Sequence, residues 1–149
     1  MRAVDAVTAA HPLVSSLGLE PHPEGGWYRQ TWRSPVELAA HGGTRSSVTA
    51  ITFLLLPGER SRWHRVRSAE MWFWQGGGTL TLRVAGRAER PGPTEALALG
   101  PDPTAGHRLS HLIEPDEWQD AAPAGDQHVL VACVVSPGFD FADWTLLAD

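Results

Sequence analysis

The chain contains no lysine and no asparagine, and these two absences exclude several classes of function. All 12 of its basic side chains are arginines. Without lysine there is no side-chain amine to form a Schiff base, and no phosphate-binding loop of the type that ends in Gly-Lys-Ser/Thr. Without asparagine there is no N-glycosylation site. Chemistry that needs a basic side chain must therefore use arginine or histidine.

Cysteine and long apolar runs are also scarce. The single cysteine, Cys133, lies in the apolar stretch HVLVACVVS, so we expect a small buried side chain, and neither an intramolecular disulfide nor a thiolate zinc site can form. No segment approaches the 18 apolar residues of a membrane span, and the N-terminus lacks the apolar run of a signal peptide. We therefore expect a cytoplasmic protein with no membrane partner.

The chain has 149 residues and a formal net charge of −5, which predicts one domain, 1–149. Residues 2–17 are predicted to form one or two short helices, and we expect 1–18 to pack on the rest of the domain as an N-terminal segment. Beyond them, short alternating stretches separated by glycine and proline turns predict about eight or nine strands. The pattern is typical of an all-β sandwich or barrel.

The stretch from Gly58 to Gly77 concentrates the side chains that could carry chemistry. Strand alternation places Arg62 and His64 on one face of their strand, and Glu70, Trp72 and Trp74 on one face of the next. If these faces line the same barrel, an imidazole, a carboxylate, a guanidinium and two indoles meet in one cavity. Such a mixture is typical of a small-molecule site, although either Trp could instead belong to the core.

The basic run RSRWHRVR does not predict a nucleic-acid partner. Alternation divides its charges over two faces of a strand, and the chain as a whole is acidic, whereas nucleic-acid binding needs a basic field. Arg62 is instead expected to bind an anionic group of a small ligand.

Four motifs resemble those of a known family. A glycine, five residues, His64, then Glu70, six residues and a glycine resemble the first motif of the cupin superfamily. The stretches 19–28 (LxPHPEGGxY), 115–121 (PxxWQxA) and 136–140 (SPGFD) are similar to one small cupin family catalogued as a domain of unknown function. The resemblance implies a double-stranded β-helix, the cupin jelly-roll barrel, with a ligand cavity inside it. It also implies a homodimer.

The resemblance implies little about a metal, because the ligand set is depleted. Metal-dependent cupins use three histidines and one glutamate; His64 and Glu70 match the first histidine and the glutamate, but Val66 stands where the second histidine would be. The last histidine would fall near Asp120. We expect that no cofactor is required, and a divalent metal held by His64, Glu70 and Gln119 stays as an alternative.

The function expected from these residues is proton transfer. His64 as base and Glu70 as its orienting group or acid would resemble the cupin-fold sugar-nucleotide epimerases, with Tyr28, the only tyrosine, as partner acid. If Tyr28 points outward, Arg29 and Thr31 face inward instead. We therefore predict an isomerase, epimerase or lyase acting on a small carbonyl- or sugar-like molecule.

Ligand contacts are assigned to a wider set of residues: Arg62, Trp72, Trp74, Gln119 and Arg29. Two alternatives stay open, a cupin that only binds its ligand and a metal-dependent enzyme. His22, together with Glu24, is expected to fix the loop that leads into the barrel.

Overall fold

The structure, a computed structural model, describes residues 11–148. A short helix, α1 (Pro12–Ser16), has proline in its first turn, and His11 caps it by accepting a hydrogen bond from the Leu13 backbone N–H. Residues 2–10 of the predicted helical segment lie outside the described residues. Within residues 11–148, no helix has the length and apolar character to cross a membrane.

The rest of the described chain is built from short strands. In order they are β1 (Glu20–Pro21), β2 (Trp27–Arg33), β3 (Glu37–Ala40), β4 (Gly43–Ser46), β5 (Thr49–Leu55), β6 (Ser61–Val66), β7 (Ala69–Gly77), β8 (Leu80–Val84), β9 (Glu95–Leu99), β10 (Ser110–Ile113), β11 (Gln119–Pro123), β12 (Val129–Ser136) and β13 (Trp144–Leu146). Two single 3-10 turns, Pro103–Ala105 and Phe141–Asp143, complete the described elements.

Two large sheets form the barrel. One has the order β1-β2-β5-β12-β7-β10 and the other β13-β6-β11-β8-β9, while β3 and β4 form a separate hairpin. Side chains from both large sheets, such as Phe53, Trp72, Leu82 and Val131, share one buried cluster. The predicted all-β jelly-roll barrel is confirmed.

Alternation in β5 and β12 explains how the barrel is filled. In β12, Val129, Val131, Cys133 and Val135 are buried inside, so Cys133 is the small core residue that the sequence predicts. The outward side chain of Leu54 in β5 is also buried, because the helical segment covers that face of the sheet. The end of β5 is therefore apolar on both faces, since Phe53, Leu54 and Leu55 are all buried, which gives the run SSVTAITFLLL its strong strand signal.

Strand register sets the depth of each inward side chain. In the pairing of β7 with β12, Glu70 lies opposite Val135 and Trp72 opposite Cys133. Trp74 lies opposite Val131. Each step of two residues along a strand moves roughly 7 Å deeper into the barrel. Glu70 therefore lies nearest one end, and the two tryptophans lie progressively below it.

A β-bulge interrupts β6 in front of His64. In the pairing with β11, His64 lies opposite Gln119 and Ser61 opposite Ala121, so three steps on β6 match two on β11. The extra residue reverses the alternation of inward and outward side chains along the strand. Ser61 and His64 are consequently both buried, while Arg62 between them is exposed.

Candidate functional site

One end of the barrel holds a cavity of about 390 Å³, the size of a small-molecule site. Its lining includes His64, Glu70 and Tyr28. The structure thus brings together the three residues that the sequence predicts as catalytic. Further lining comes from the β1–β2 loop, through His22 and Glu24, and from the C-terminal residues 139–144.

His64 is held by a carboxylate that lies far from it in the sequence. Its Nδ1 atom is 2.9 Å from Oε2 of Glu24 and 2.7 Å from the carbonyl oxygen of Arg62. The Ser61 hydroxyl donates to the same Glu24 oxygen. These contacts fix the imidazole ring, and no hydrogen bond within residues 11–148 involves its Nε2 atom, which stays available to a ligand.

The second oxygen of Glu24 contacts His22. The Nδ1 atom of His22 accepts a hydrogen bond from the Glu24 backbone N–H, 3.1 Å, and its Nε2 lies 3.2 Å from Oε1 of Glu24. Burial, together with the His64 charge, lowers the pKa of His22, against the attraction of Glu24. A neutral His22 that donates from Nε2 satisfies both contacts, so Glu24 has partners on both oxygens.

Glu24 and His64 form a buried ion pair. Burial disfavours the charged imidazolium, but the adjacent Glu24 carboxylate and the hydrogen bonds to Nδ1 outweigh burial and raise the pKa of His64 to about 9. Burial likewise opposes ionisation of Glu24, yet the His64 charge and hydrogen bond lower the pKa of that carboxyl. At neutral pH the pair is therefore imidazolium and carboxylate.

Glu70 has the opposite environment. Burial and the nearby Glu24 charge raise its pKa, although the His64 charge and a hydrogen bond from Gln119 act against them. The Gln119 Nε2 group donates to Oε1 of Glu70, 2.8 Å, while the Trp72 indole N–H donates to Oε1 of Gln119, 2.8 Å. The indole thereby fixes which end of the amide faces Glu70.

Arg62 does not line the cavity, contrary to the prediction from alternation. The bulge in β6 turns its side chain outward, where Nη2 donates to the carbonyl oxygen of Pro23, 2.7 Å. Its backbone N–H donates to the carbonyl oxygen of Glu24, 2.8 Å. Arg62 therefore holds the loop that carries Glu24. The prediction that Arg62 binds an anionic ligand group inside the barrel is wrong, because its side chain lies outside the barrel.

Trp72 and Trp74 face the barrel interior as predicted, but neither lines the cavity. Register places them below Glu70, so Trp72 is 2% exposed beneath the cavity floor, and the Trp74 indole donates to the carbonyl oxygen of Gly78. The prediction that their rings form the walls of the ligand cavity is therefore wrong, and both rings belong to the core instead. Gln119, predicted as a ligand contact, is likewise fully buried and occupied at both ends of its amide.

Tyr28 faces the cavity, which settles the choice between it and its neighbour. Its ring and the His22 ring pack in a T-shaped arrangement at a centroid distance of 4.5 Å. Arg29, the next residue on the strand, is exposed on the other face and extends towards Gly18. The assignment of Arg29 as a ligand contact is wrong, because alternation gives the cavity to Tyr28.

The donor set does not fit a tightly held divalent metal. Within residues 11–148 no group of three or more histidine, cysteine, aspartate or glutamate side chains has suitable geometry. Nδ1 of His64 is bound to Glu24, and the Gln119 oxygen accepts from Trp72. Asp120, near the last histidine position of the motif, pairs with Arg60 and Arg83. Of the alternative set, Gln119 is occupied at both ends of its amide, which leaves only His64, through its Nε2 atom, and Glu70 as ligands, too few for a tightly held metal.

Sequence reasoning missed the role of Glu24 and the aromatic rim of the cavity. From the sequence, Glu24 is expected only to fix a loop, and no local pattern links it to His64, 40 positions later. The rim is formed by Phe139, Phe141 and Trp144. Its signal was present in the stretch GFDFADW, where three aromatic residues cluster outside any long strand.

The comparisons with known proteins extend over almost the whole chain. The family described as "Cupin superfamily (DUF985)" matches residues 11–147. Among solved structures, a protein from Shewanella oneidensis is 35% identical with a TM-score of 0.84, over 92% of this chain and 83% of that one. A hypothetical protein from Leishmania major is 29% identical with a TM-score of 0.83, over 91% of this chain and 85% of that one.

A more distant likeness shows the fold alone. A dTDP sugar isomerase from Desulfovibrio desulfuricans is 18% identical with a TM-score of 0.57, over 81% of this chain and 83% of that one. No curated protein matches the chain. The motifs, the barrel and the extent of the family match lead to one conclusion: this chain belongs to the DUF985 family of the cupin superfamily.

Proposed function

We propose that the protein is an enzyme that moves a proton on a small carbonyl- or sugar-like molecule, as an isomerase, epimerase or lyase. The observation that carries the proposal is the presence of two buried carboxylates with different tasks. Glu24 is committed to His64, whereas Glu70 has a raised pKa and lines the same cavity. Titratable groups that are tuned in this way are typical of acid–base sites.

The protonation states assign the roles differently from the sequence. With a pKa of about 9, His64 is an imidazolium at neutral pH and acts as the acid. Glu70 is then the base: its carboxylate removes the proton from the carbon next to a carbonyl group, and the electron pair of the C–H bond moves to the carbonyl oxygen. His64 donates its Nε2 proton to that oxygen, giving an enol.

The enol then determines the product class. If the enol proton returns to His64 and a proton is added to the opposite face of the same carbon, the product is an epimer. In an α-hydroxy carbonyl compound, addition of the proton to the former carbonyl carbon, with loss of the proton of the α-hydroxyl group, gives an isomer. Loss of a leaving group from the next carbon gives the product of a lyase. Tyr28 is the remaining proton donor, because burial and the Glu20 charge raise its pKa and keep the phenol protonated.

The proposal is tested by hydrogen exchange on substrates. Candidate ketoses, aldoses and keto acids are incubated with the protein in D₂O, and loss of the signal of the hydrogen next to the carbonyl is followed by proton NMR. We expect catalysed exchange with at least one compound. Glu70→Gln and His64→Gln are each expected to lower the rate by about 10²- to 10⁴-fold, the usual contribution of general acid–base catalysis.

Two matched variants serve as controls. Glu95→Gln changes an exposed carboxylate on β9, and His128→Gln changes a histidine outside the cavity; both are expected to keep the wild-type exchange rate. Exchange that persists in Glu70→Gln would contradict the assignment of the base. If no compound exchanges while ligands still quench tryptophan fluorescence in wild type and His64→Gln alike, the protein is a cupin that only binds its ligand.

A further inference from the structure

The charges around the cavity are strongly one-sided. Four carboxylates line it, those of Glu20, Glu24, Glu70 and Asp140. No arginine within residues 11–148 lines the cavity, and the chain has no lysine. The imidazolium of His64 is the positive charge in the lining, and it is already paired with Glu24. A ligand therefore enters a site with excess negative charge.

Two arginines that bind groups next to the lining residues are committed to those partners. Arg45 makes two hydrogen bonds, of 2.8 and 2.9 Å, to the carboxylate of Asp143. Arg62 binds the backbone of the β1–β2 loop on the outside of the barrel. A phosphate or carboxylate group on a ligand would therefore have no guanidinium partner in the cavity.

The mouth of the cavity adds aromatic rings to these carboxylates. Phe141 lines the cavity and is 44% exposed, a high exposed fraction for a large apolar side chain. Its ring centroid lies 4.9 Å from that of Phe139, 5.5 Å from that of Trp144 and 6.1 Å from that of His22. Rings of this kind attract cations through the negative charge density of their faces.

Two of the carboxylates lie at this mouth in exposed positions. Glu20 pairs in register with Tyr28, and Asp140 begins the 3-10 turn that carries Phe141. A second observation also indicates a ligand. The indole Nε1 of Trp144 is buried and has no acceptor among the described residues, so a ligand oxygen in this part of the cavity would complete its hydrogen bonding.

We infer that the cavity accepts a small molecule bearing a protonated amine, whose cationic end is held at the mouth by Glu20, Asp140 and the aromatic rim. The inference rests on the proposed function, since it takes the acid–base cavity as the ligand site. It places the amine at the exposed end of the site, and the reacting carbonyl group at the His64 and Glu70 end. Amino sugars and amino ketones have this arrangement of groups.

The test uses three probes of the same shape and different charge: benzylamine, benzyl alcohol and benzoate. Binding to the wild-type protein is measured by ligand-observed NMR and confirmed by tryptophan fluorescence. We expect benzylamine to bind about tenfold more tightly than benzyl alcohol, from two partly exposed charge contacts and the cation–π term. Benzoate is expected not to bind, and the preference for the amine is expected to weaken with added salt.

Two double variants locate the preference. Glu20→Gln with Asp140→Asn removes both mouth charges and keeps a capping side chain on the turn, so the amine and the alcohol should then bind equally. Glu37→Gln with Asp126→Asn is the matched control, because both carboxylates are exposed and outside the cavity; it should keep the wild-type preference.

The inference is overturned if benzoate binds as well as benzylamine, if the amine preference survives in the mouth variant, or if none of the probes binds. These outcomes leave the proposed function standing wherever hydrogen exchange on a neutral carbonyl compound is still observed. Conversely, selective amine binding without exchange on any compound supports the ligand class and contradicts the enzyme.

Discussion

At the scale of single residues, the site depends on one buried ion pair. Glu24 contacts Ser61, His22 and His64, and it is the only carboxylate within the described chain that contacts the Nδ1 atom of His64. Removing one partner of a buried pair leaves an uncompensated charge. The protonation state of His64 is thus a property of Glu24 as much as of the imidazole itself.

Replacing Glu24 is expected to reverse the direction in which the pKa of His64 is shifted from its ordinary value. In wild type the value is about 9, above the ordinary value of 6.5; in Glu24→Gln the burial of the ring dominates and the pKa should fall below the ordinary value. An NMR titration of the imidazole signals measures the pKa of His64 in both proteins. The control Glu20→Gln, at the exposed mouth, should leave His64 close to its wild-type value. A value that stays near 9 in Glu24→Gln would contradict the pairing.

The same pair makes stability depend on pH. Because the folded-state pKa of His64 is raised, its contribution to the free energy of unfolding is complete below the ordinary value of 6.5 and is lost as the pH rises through about 9. Urea unfolding of wild type and Glu24→Gln, at about pH 6 and about pH 10, gives the difference in stability at each pH. We expect the larger difference at the lower pH, and equal differences would argue against a charged pair.

At the scale of elements, two connections position the site. The β1–β2 loop brings Glu24 against β6, and Gly25 makes this approach possible, since a Cβ there would collide with the carbonyl oxygen of Arg60 and its φ is +113°. The second connection crosses the barrel from β11 to β7, through Gln119, Trp72 and Glu70. Both are tertiary contacts between elements far apart in the sequence.

Gly25→Ala is expected to destabilise the protein and to weaken ligand binding, because the loop must move away from β6 and take Glu24 with it. Gly58→Ala is the matched control. The φ of Gly58 is also positive, +84°, but nothing lies within 4 Å of the added Cβ. The control should lose only about 1 kcal/mol of stability from backbone strain. Thermal unfolding and probe binding distinguish the two variants, and equal effects would show that the close approach is unimportant.

Gln119→Leu is expected to lower the free energy of unfolding by about 2–4 kcal/mol, because it leaves the Trp72 indole and the Glu70 carboxyl without their partner. Adding Trp72→Phe to this variant removes the stranded indole donor and should recover part of the loss. A double-mutant cycle by urea unfolding measures the coupling. Additive effects would mean that the bond from Trp72 to Gln119 contributes nothing.

The extent of sequence prediction follows from the range of these interactions. Alternation and turn residues predict the strands of β5, β7 and β12, and with the motif resemblance they predict the barrel and the placement of His64 and Glu70. The failures at Arg62 and Trp72 have separate causes. Alternation assumes an uninterrupted ladder, which the bulge in β6 breaks, and it reports the face of a side chain but not its depth below the cavity.

At the scale of the whole molecule, the outer face of the six-stranded sheet is partly apolar. Trp32, Phe73 and Leu112 are 52%, 39% and 41% exposed, although all three are large hydrophobic side chains. Phe73 and Leu112 lie on β7 and β10, which pair with each other at the edge of the sheet. A second copy of the chain on this face would remove these side chains from water.

The homodimer expected from the sequence therefore stays a prediction, now with a surface assigned to it. Sedimentation and native mass spectrometry should give twice the mass of one chain. We expect Phe73→Glu to give monomers, and Arg90→Glu, at an exposed site in the loop between β8 and β9, to leave the dimer intact. A dimer that survives Phe73→Glu would place the interface elsewhere.

The native mass spectra should also show less than ~0.1 equivalent of transition metal per chain, given the unsuitable donor set.

The bulge in β6 also bears on how related chains should be aligned. Ser61 and His64 point inward from either side of it, with two outward residues between them. A relative that lacks one of those two residues would have an ordinary ladder there and would still place the same serine and histidine inside. A one-residue gap between these positions is thus neutral for the cavity, whereas a one-residue gap within the strands between His64 and Glu70 would turn one of these two side chains out of the cavity.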